Sequence, residues 1–294
     1  MSSQPMRAHY YASVRSPLKD RLLHFRESHH TVQITGPEGT WSYFAGGDGD
    51  TTLVLLPGGL GVAEPWFDCM LAWERRFRVI AVSYPCIPNV GSAVRAISSV
   101  LEQEGTGRHC LLGTSMGGEI AQAFLRDRPG TLQALILGNT GEANAKYGKK
   151  LDSQMPMTRL FDNRLAFPLI KLVAKRRVLS LLTPYISGDD LAFWKAYMND
   201  IIDNQYSPDL MKSQFNVLRD FATHYSGPIA VPPPTQMLIV ESQDDKMFPA
   251  ARRESLKALF PAARVKTFPD GGHLLAITRR DQYVAEVNDF IGVR

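Results

Sequence analysis

Ser115 stands between two glycines, Gly113 and Gly117, near the middle of the chain. The motif follows a short apolar run, 109–112, and precedes an amphipathic segment of helical length, about 117–128. A sharp strand-to-helix turn needs small residues on both sides, and it lifts a serine hydroxyl above a sheet at the positive end of a helix. The pattern therefore predicts that Ser115 is a nucleophile. The alternative is a glycine-rich packing turn.

A serine hydroxyl is a weak nucleophile unless a base is held beside it. His273 lies in the loop between the last predicted strand, about 264–268, and a predicted C-terminal helix, about 274–292. Gly271 and Gly272 give this loop the freedom to bring the imidazole over the sheet. We therefore expect His273 to be the base. The other six histidines are expected to be structural or surface residues: His9, His24, His29, His30, His109 and His224.

The base in turn needs a carboxylate that fixes its tautomer and stabilises the imidazolium. Asp244 and Asp245 both follow a predicted strand that ends at Val240. Asp245 is preferred because it stands four residues before Pro249, which leaves Asp244 as a turn residue. The preceding strand leads into Asn139, which is not a carboxylate.

A glycine-rich loop, 57–61, follows the apolar run 51–56. The N–H groups of Gly59 and Met116 would meet on an oxygen that gains negative charge, and each such donor is typically worth about 3 kcal/mol. The loop does not complete the glycine pattern of a dinucleotide-binding turn, because Glu64 occupies its last position.

Apolar runs that end in glycine, proline or a polar turn alternate with helix-length segments. Continuous apolar runs are typical of strands buried on both faces, and their alternation with helices predicts a doubly wound α/β fold with a mostly parallel sheet. The predicted strands are about 31–36 and 40–45 as an antiparallel pair, then 51–56, 77–82, 109–112, 132–137, 236–240 and 264–268. The predicted helices between them are about 91–104, 117–128, 250–260 and 274–292.

Between about 142 and 234 there is no strand-like run. Three helices are predicted there: one over about 164–182, one from Ser187 and one from Ser207. An all-helical insertion is typical of a lid over an active site. The alternative is that its apolar stripes only pack on the sheet. The predicted organisation is an N-terminal extension (1–30), a core domain (31–141 and 235–294) and a helical lid (142–234).

Together these features resemble the α/β-hydrolase fold family along about 30–292. The resemblance implies an eight-stranded, mostly parallel sheet and a triad of Ser115, Asp245 and His273 in the serine–acid–histidine order of that family. A narrower similarity is to the maspardin-like branch, which includes proteins thought to act through binding. It is carried by Ser16-Pro17-Leu18-Lys19, Arg78-Val79-Ile80-Ala81, Tyr84-Pro85 and Leu135-Ile136-Leu137-Gly138-Asn139.

The composition limits the partners. The chain has 294 residues and a net charge of only +4, which is too small and dispersed for a nucleic-acid binder. The basic run 175–177 is expected to be a solvated helix face. Cys69, Cys86 and Cys110 form no C-x-x-C pair and are expected to be buried free thiols.

The chain shows no apolar run long enough to span a membrane and no apolar core of a secretory signal near its start. We therefore expect a cytoplasmic protein without a membrane span. No histidine spacing matches a metal site. No metal or organic cofactor is expected. The oligomeric state is not predicted.

Two classes of function follow. The first is a serine hydrolase that cleaves a carboxylic ester, thioester or lactone of a moderately apolar small molecule. The same residues can also hydrolyse a carbon–carbon bond beside a ketone, or pass the acyl group to another nucleophile. The second class is a non-catalytic binding or adaptor protein that kept the scaffold. Leu60, Trp66 and Met116 are candidates for an apolar acyl pocket, with core packing as the alternative for Trp66.

Overall fold

A computed structural model describes residues 8–292, which form one eight-stranded sheet with helices on both faces. The strands are β1 (Val32–Gly36), β2 (Gly39–Gly46), β3 (Thr52–Leu56), β4 (Arg78–Ser83), β5 (His109–Thr114), β6 (Leu132–Gly138), β7 (Gln236–Ser242) and β8 (Arg264–Phe268). The α-helices are α1 (Pro17–Ser28), α2 (Phe67–Trp73), α3 (Val90–Gln103), α4 (Met116–Asp127), α5 (Ala145–Gln154), α6 (Phe167–Leu182), α7 (Gly188–Gln205), α8 (Pro208–His224), α9 (Ala250–Leu259), α10 (Leu275–Thr278) and α11 (Arg280–Gly292). 3-10 helices cover Ala8–Tyr11, Glu64–Trp66 and Met155–Asp162.

The strand order is β1-β2-β4-β3-β5-β6-β7-β8. β2 is antiparallel to both of its neighbours, and all the other pairs are parallel. The predicted doubly wound, mostly parallel, eight-stranded sheet is therefore confirmed. The chain moves outward from β3 to β4 and then crosses back to β5, so the winding direction reverses at β3. In open α/β sheets the crevice at such a reversal, at the carboxyl ends of the strands, is where ligands bind.

The central strands of the sheet are buried on both faces, as their continuous apolar runs predict. Successive side chains of a strand point to opposite faces. Leu53 and Leu55 of β3 pack into one core layer with α1, α2 and α11, whereas Val54 and Leu56 pack into the other with α3 and α4. Neither face of the central strands is available to solvent, so a ligand can reach these strands only at their ends.

The register places three loops side by side at that edge. Gly138, the last residue of β6, pairs with Thr114 of β5 on one side and with Val240 of β7 on the other. The loops that follow β5, β6 and β7 therefore begin in one row. Two of these loops carry Ser115 and Asp245, which stand far apart in the sequence.

Several helices differ from the predictions. The predicted helix over 274–292 is divided at Arg279 into α10 and α11. The division is held by Thr278, whose hydroxyl donates to the carbonyl oxygen of Gly271 at 2.7 Å and so ties α10 to the loop before it. The helices α1, α2 and α5 were not predicted.

The α1 helix lies inside the segment predicted as an N-terminal extension. Its Leu22 and Phe25 are fully buried in the core. The guanidinium of Arg26 donates to both carboxylate oxygens of Glu64 at 2.8 Å and to Asp200 of α7 at 3.0 Å. This segment is therefore packed against the core. The division into extension, core and lid itself stays a prediction.

Residues 142–234, all of them described, contain α5 to α8 and no strand. The α7 helix begins directly after Ser187, and α8 begins directly after Ser207. The Ser207 hydroxyl accepts a hydrogen bond from the N–H of Leu210 at 3.1 Å, and Pro208 occupies the first helical position. These are the start signals that the sequence carries for α8.

The three cysteines are free, but they are not alike. Cys69 and Cys110 are buried, whereas Cys86 is exposed. The predicted burial is therefore wrong for Cys86, because this residue lies in the loop between β4 and α3 rather than in a strand or an inward-facing helix turn.

Glu119 is a buried carboxyl group on α4, one turn beyond Ser115. Burial, assisted by the nearby charge of Glu142, raises its pKa to about 8 against the opposing effect of Arg252. The unfolded chain releases this proton near the ordinary glutamate value of about 4.3. The folded protein keeps the proton up to about pH 8, so the free energy of unfolding falls as the pH rises between these values.

We predict that Glu119→Gln, which cannot ionise, removes this loss of stability. The free energy of unfolding of the wild type relative to the variant should fall by up to about 1.4 kcal/mol per pH unit in that window. Urea unfolding at mildly acidic pH and at pH near 8 measures the difference. Glu102→Gln, on an exposed position of α3, is the control. Parallel stability curves for the wild type and Glu119→Gln would contradict the prediction.

Candidate active site

Ser115 occupies the single residue between β5 and α4, with φ 53° and ψ −123°. A positive φ at a non-glycine residue typically costs on the order of 1–3 kcal/mol and persists only where the surroundings impose it. The flanking glycines show the constraint. A Cβ on Gly113 would lie 2.2 Å from the carbonyl oxygen of Gly117, and a Cβ on Gly117 would lie 2.2 Å from that of Leu56. Only glycine permits this close backbone approach.

Ser115, His273 and Asp245 form a continuous hydrogen-bonded chain. The Nε2 atom of His273 lies 3.1 Å from the hydroxyl oxygen of Ser115. The Nδ1 atom lies 3.0 Å from Oδ2 of Asp245. His273 and Asp245 are both buried, and Ser115 is partly exposed. The three residues that the sequence analysis assigned to chemistry are thus in hydrogen-bonding contact in the folded chain.

Asp245 is buried but held in its charged form. Its Oδ1 accepts hydrogen bonds from the N–H groups of Met247 at 2.8 Å and Phe248 at 3.2 Å. Its Oδ2 accepts from the side-chain amide of Asn139 at 3.0 Å, in addition to His273. Burial raises the pKa of Asp245, but the hydrogen bond and charge of His273, with the donors of Asn139 and Met247, outweigh it and lower the pKa below its ordinary value.

Asn139 is a site residue that the sequence analysis missed. Its backbone has φ 43°, and its side-chain amide donates both to Asp245 and to the carbonyl oxygen of Gly272 at 3.1 Å. It therefore joins the acid loop to the histidine loop. In the sequence, this position was of interest only as a possible place for a carboxylate. The signal that identifies it is its place after β6, beside the strand that leads to Asp245.

Asp244 has partners of its own and no hydrogen bond to His273 among the described residues. Its Oδ1 accepts from the N–H of Gly272 at 2.9 Å, and its Oδ2 accepts from the hydroxyl of Tyr185 at 2.6 Å. Tyr185 lies between α6 and α7. Asp244 therefore anchors the histidine loop and the predicted lid, and the geometry favours Asp245 as the partner of the imidazole.

The loop after β3 runs directly beside the serine. A Cβ added to Gly58 would lie 3.2 Å from the Cβ of Ser115, whereas one on Gly59 would meet nothing within 4 Å. The N–H of Gly61 donates to the carbonyl oxygen of Gly58 at 2.9 Å, which fixes the peptide that carries the N–H of Gly59. Met116 is the first residue of α4, where backbone N–H groups have no acceptor within the helix.

Tyr206, at the end of α7, holds the next peptide of the same loop. Its hydroxyl, which has one proton to donate, lies between two acceptors, the carbonyl oxygen of Gly59 at 3.0 Å and the side-chain amide oxygen of Gln214 at 2.8 Å. Tyr206 is buried. Its contact was not predicted, because a tyrosine at the end of a helix carries no signal of a contact with a loop almost 150 positions earlier.

The predicted pocket residues lie in two different settings. Leu60 is partly buried and packs against the apolar cluster of Ile202, Tyr206 and Leu210. Trp66 is 5% exposed and belongs to the core, where its ring centroid lies 6.0 Å from that of Trp73. Leu60 therefore packs the loop against the predicted lid. The assignment of Trp66 to a substrate pocket stays a prediction.

Within residues 8–292, no three His, Cys, Asp or Glu side chains are grouped so that they could hold a metal ion. No helix in the same range combines the length and apolar character that crossing a bilayer requires.

Comparison with known proteins identifies the family. The model of the alpha/beta hydrolase family matches residues 53–287, and the chain belongs to this family. It is similar to a hydrolase from Pseudomonas aeruginosa PA01, with 17% identity, a TM-score of 0.70, and coverage of 90% of this chain and 99% of that one. It is also similar to an esterase from Exiguobacterium antarcticum, with 17% identity, a TM-score of 0.71, and coverage of 90% and 100%. A carboxylesterase from Bacillus subtilis gives 18% identity, a TM-score of 0.56, and coverage of 92% and 98%. At these identities the likeness concerns the fold.

The backbone of Ser115 generates a prediction about stability. Glycine adopts positive φ without the Cβ penalty, whereas alanine removes the hydroxyl but keeps that penalty. We expect Ser115→Gly to exceed Ser115→Ala in free energy of unfolding by about 1 kcal/mol.

Urea unfolding of both variants measures this difference. The control is the pair Ser99→Gly and Ser99→Ala in the interior of α3, where the order should be the reverse because glycine destabilises helix interiors. If Ser115→Ala is the more stable of the two variants at position 115, the turn stores no strain.

Proposed function

We propose that this α/β-hydrolase is a serine hydrolase that cleaves a carboxylic ester, thioester or lactone of a moderately apolar small molecule. The observation that carries the proposal is the hydrogen-bonded chain from Asp245 through His273 to Ser115. A protein that only binds a partner has no need of an imidazole held between a buried carboxylate and a strained serine.

In the proposed reaction Ser115 attacks the carbonyl carbon while the Nε2 atom of His273 accepts its proton. Asp245 keeps the imidazole proton on Nδ1 and stabilises the imidazolium. The lowered pKa of this carboxyl supports that role, because it remains negatively charged throughout. His273 then protonates the leaving group. Water, activated by the same imidazole, releases the acyl group from Ser115.

The N–H groups of Gly59 and Met116 are proposed to stabilise the negative oxygen of the tetrahedral intermediate. Support comes from the position of Met116 at the start of α4 and from the Gly58–Gly61 hydrogen bond, which orients the Gly59 peptide. Donors that are fixed before the reaction stabilise charge without the cost of reorganisation.

The proposed substrate class is supported by the surroundings of the loop. Leu60 and the cluster of Ile202, Tyr206 and Leu210 offer apolar side chains beside the proposed oxyanion site. This supports an acyl group of moderate apolar character. Ester, thioester and lactone carbonyls all undergo the same attack. A strong preference for small, highly charged acids would argue against this choice.

We predict that a fluorophosphonate probe forms a single adduct on the wild-type protein and none on Ser115→Ala. His273→Ala should react at least about 100-fold more slowly than the wild type, because the serine loses its general base. Intact-mass spectrometry over time measures the rates.

The controls are Ser180→Ala and His224→Ala, exposed residues that should keep the wild-type rate. Circular dichroism establishes that each protein is folded. No adduct on folded wild-type protein would refute the proposal and favour the non-catalytic binding protein. An adduct that persists in Ser115→Ala would place the nucleophile elsewhere.

A second prediction separates the two aspartates. Asp245→Asn presents an amide in place of the charged acceptor of His273 Nδ1, so the imidazole favours the wrong tautomer, and kcat/KM for an activated ester should fall by about 10³–10⁴-fold. Asp244→Asn leaves the Asp245–His273 contact in place and should cost less than about tenfold, a loss that reflects weakened anchoring of the histidine loop.

Steady-state hydrolysis of an aryl ester gives both values, and urea unfolding checks that both variants are folded. A larger loss in Asp244→Asn than in Asp245→Asn would exchange the roles of the two residues.

A further inference from the structure

The predicted lid carries an unusual outer surface, which we call the α6 face: the exposed side chains between Met157 and Arg177. Eight large apolar side chains are exposed among the described residues, and six of them belong to this face. Leu165 is 92% exposed, Leu169 63% and Met157 60%. Isolated exposed leucines are common on proteins, but a concentration of this kind marks an interaction surface.

The exposed residues of α6 recur at helical spacing. Leu169, Leu172, Val173, Arg176 and Arg177 are all exposed and lie on one side of the helix. The other side is partly buried and packs against α7. Its outer residues are therefore not needed for the packing of α6. The outer side is apolar in its first half and basic in its second.

The stretch from α5 to the end of α6, which includes the α6 face, concentrates positive charge. Residues 145–182 contain nine lysines and arginines and two aspartates, a net charge of +7. The whole chain has a net charge of +4, so the remaining residues together carry −3. Arg159, Arg164 and Arg176 are exposed and form no ion pair with any described residue. The positive charge of these three arginines is thus available to an external partner.

The α6 face lies next to the acid loop of the active site. A guanidinium nitrogen of Arg177 lies 3.8 Å from the sulfur of Met247, which is itself 38% exposed. The N–H of Met247 donates to Asp245. Whatever covers the α6 face is therefore brought beside the site that contains Ser115.

We infer that the α6 face docks on the surface of an anionic lipid bilayer. Leucine and methionine side chains that protrude into water can enter a soft acyl phase without a complementary pocket, and the arginines meet the negative headgroups. A second copy of the chain fits less well, because a twofold interface would bring two strongly positive faces together. The inference concerns binding alone and does not depend on the proposed hydrolysis.

Vesicle flotation of the full-length protein tests the inference. We expect the protein to float with vesicles of phosphatidylcholine that contain about one-third phosphatidylserine, and to bind vesicles of phosphatidylcholine alone at least about tenfold more weakly. High salt should reduce the bound fraction, because it screens the attraction between the arginines and the headgroups.

Two double variants test the two components of the surface. Leu165→Ser with Leu169→Ser removes the two most exposed apolar side chains of the α6 face. Arg164→Glu with Arg176→Glu replaces two of its positive charges with negative ones. Each should lower the partition coefficient onto anionic vesicles by about tenfold or more. All four positions are exposed, so folding should be unaffected.

The matched controls are Val265→Ser, an exposed apolar residue on β8, and Arg128→Glu, an exposed arginine after α4; both should bind as the wild type does. Three results would overturn the inference: no flotation with anionic vesicles, equal binding to both vesicle types, or unchanged binding by the double variants. A dimer in analytical ultracentrifugation that is lost in Leu165→Ser with Leu169→Ser would instead identify a second copy as the occupant. Since the aryl-ester assay uses no vesicles, failure here leaves the proposed hydrolysis unaffected.

Discussion

The close approach of two backbones at the end of β3 is the constraint on which the rest of the site depends. The first turn of α4 passes so near to Leu56 that Gly117 has no room for a side chain. The chain must therefore reverse direction within one residue, and Ser115 takes a left-handed conformation. The cost of this conformation is offset by the burial of α4, whose Ile120 and Phe124 lie in the core. A rigid turn gives the surrounding loops a fixed reference for the position of the hydroxyl group.

The fold was predictable from the sequence where local pattern and tertiary position agree. The central strands of the sheet are apolar at most positions because both faces are covered, so β3 and β5 were found with almost their observed bounds. α1 and α2 were not found. Leu22 and Phe25 are buried, but they stand among charged residues, and their inward face is defined only by what packs against them.

The positions of Ser115, Asp245 and His273 were predictable from motif and chain order, because each follows a recognisable strand. The roles of Asn139 and Tyr206 were not. Asn139 acts across a boundary between strands that are neighbours in space but distant in the sequence. A sequence gives the order of the strands along the chain, whereas the braces of a site depend on which strand lies beside which. The residues of such a site that the sequence does not reveal are therefore those that hold the reactive side chains in position.

One of these supports has a thermodynamic consequence. The hydroxyl of Tyr206 links α7 to the carbonyl oxygen of Gly59, in the loop whose Gly58 lies beside Ser115. Two segments joined in this way share one coupling free energy, and that coupling acts equally in both directions. A displacement of α7 that breaks the link makes the loop less ordered. An anion bound by the ordered loop, as the proposed function requires, would by the same free energy hold α7 in place. Under the proposed function, binding at this loop and the position of α7 would then be governed by one equilibrium.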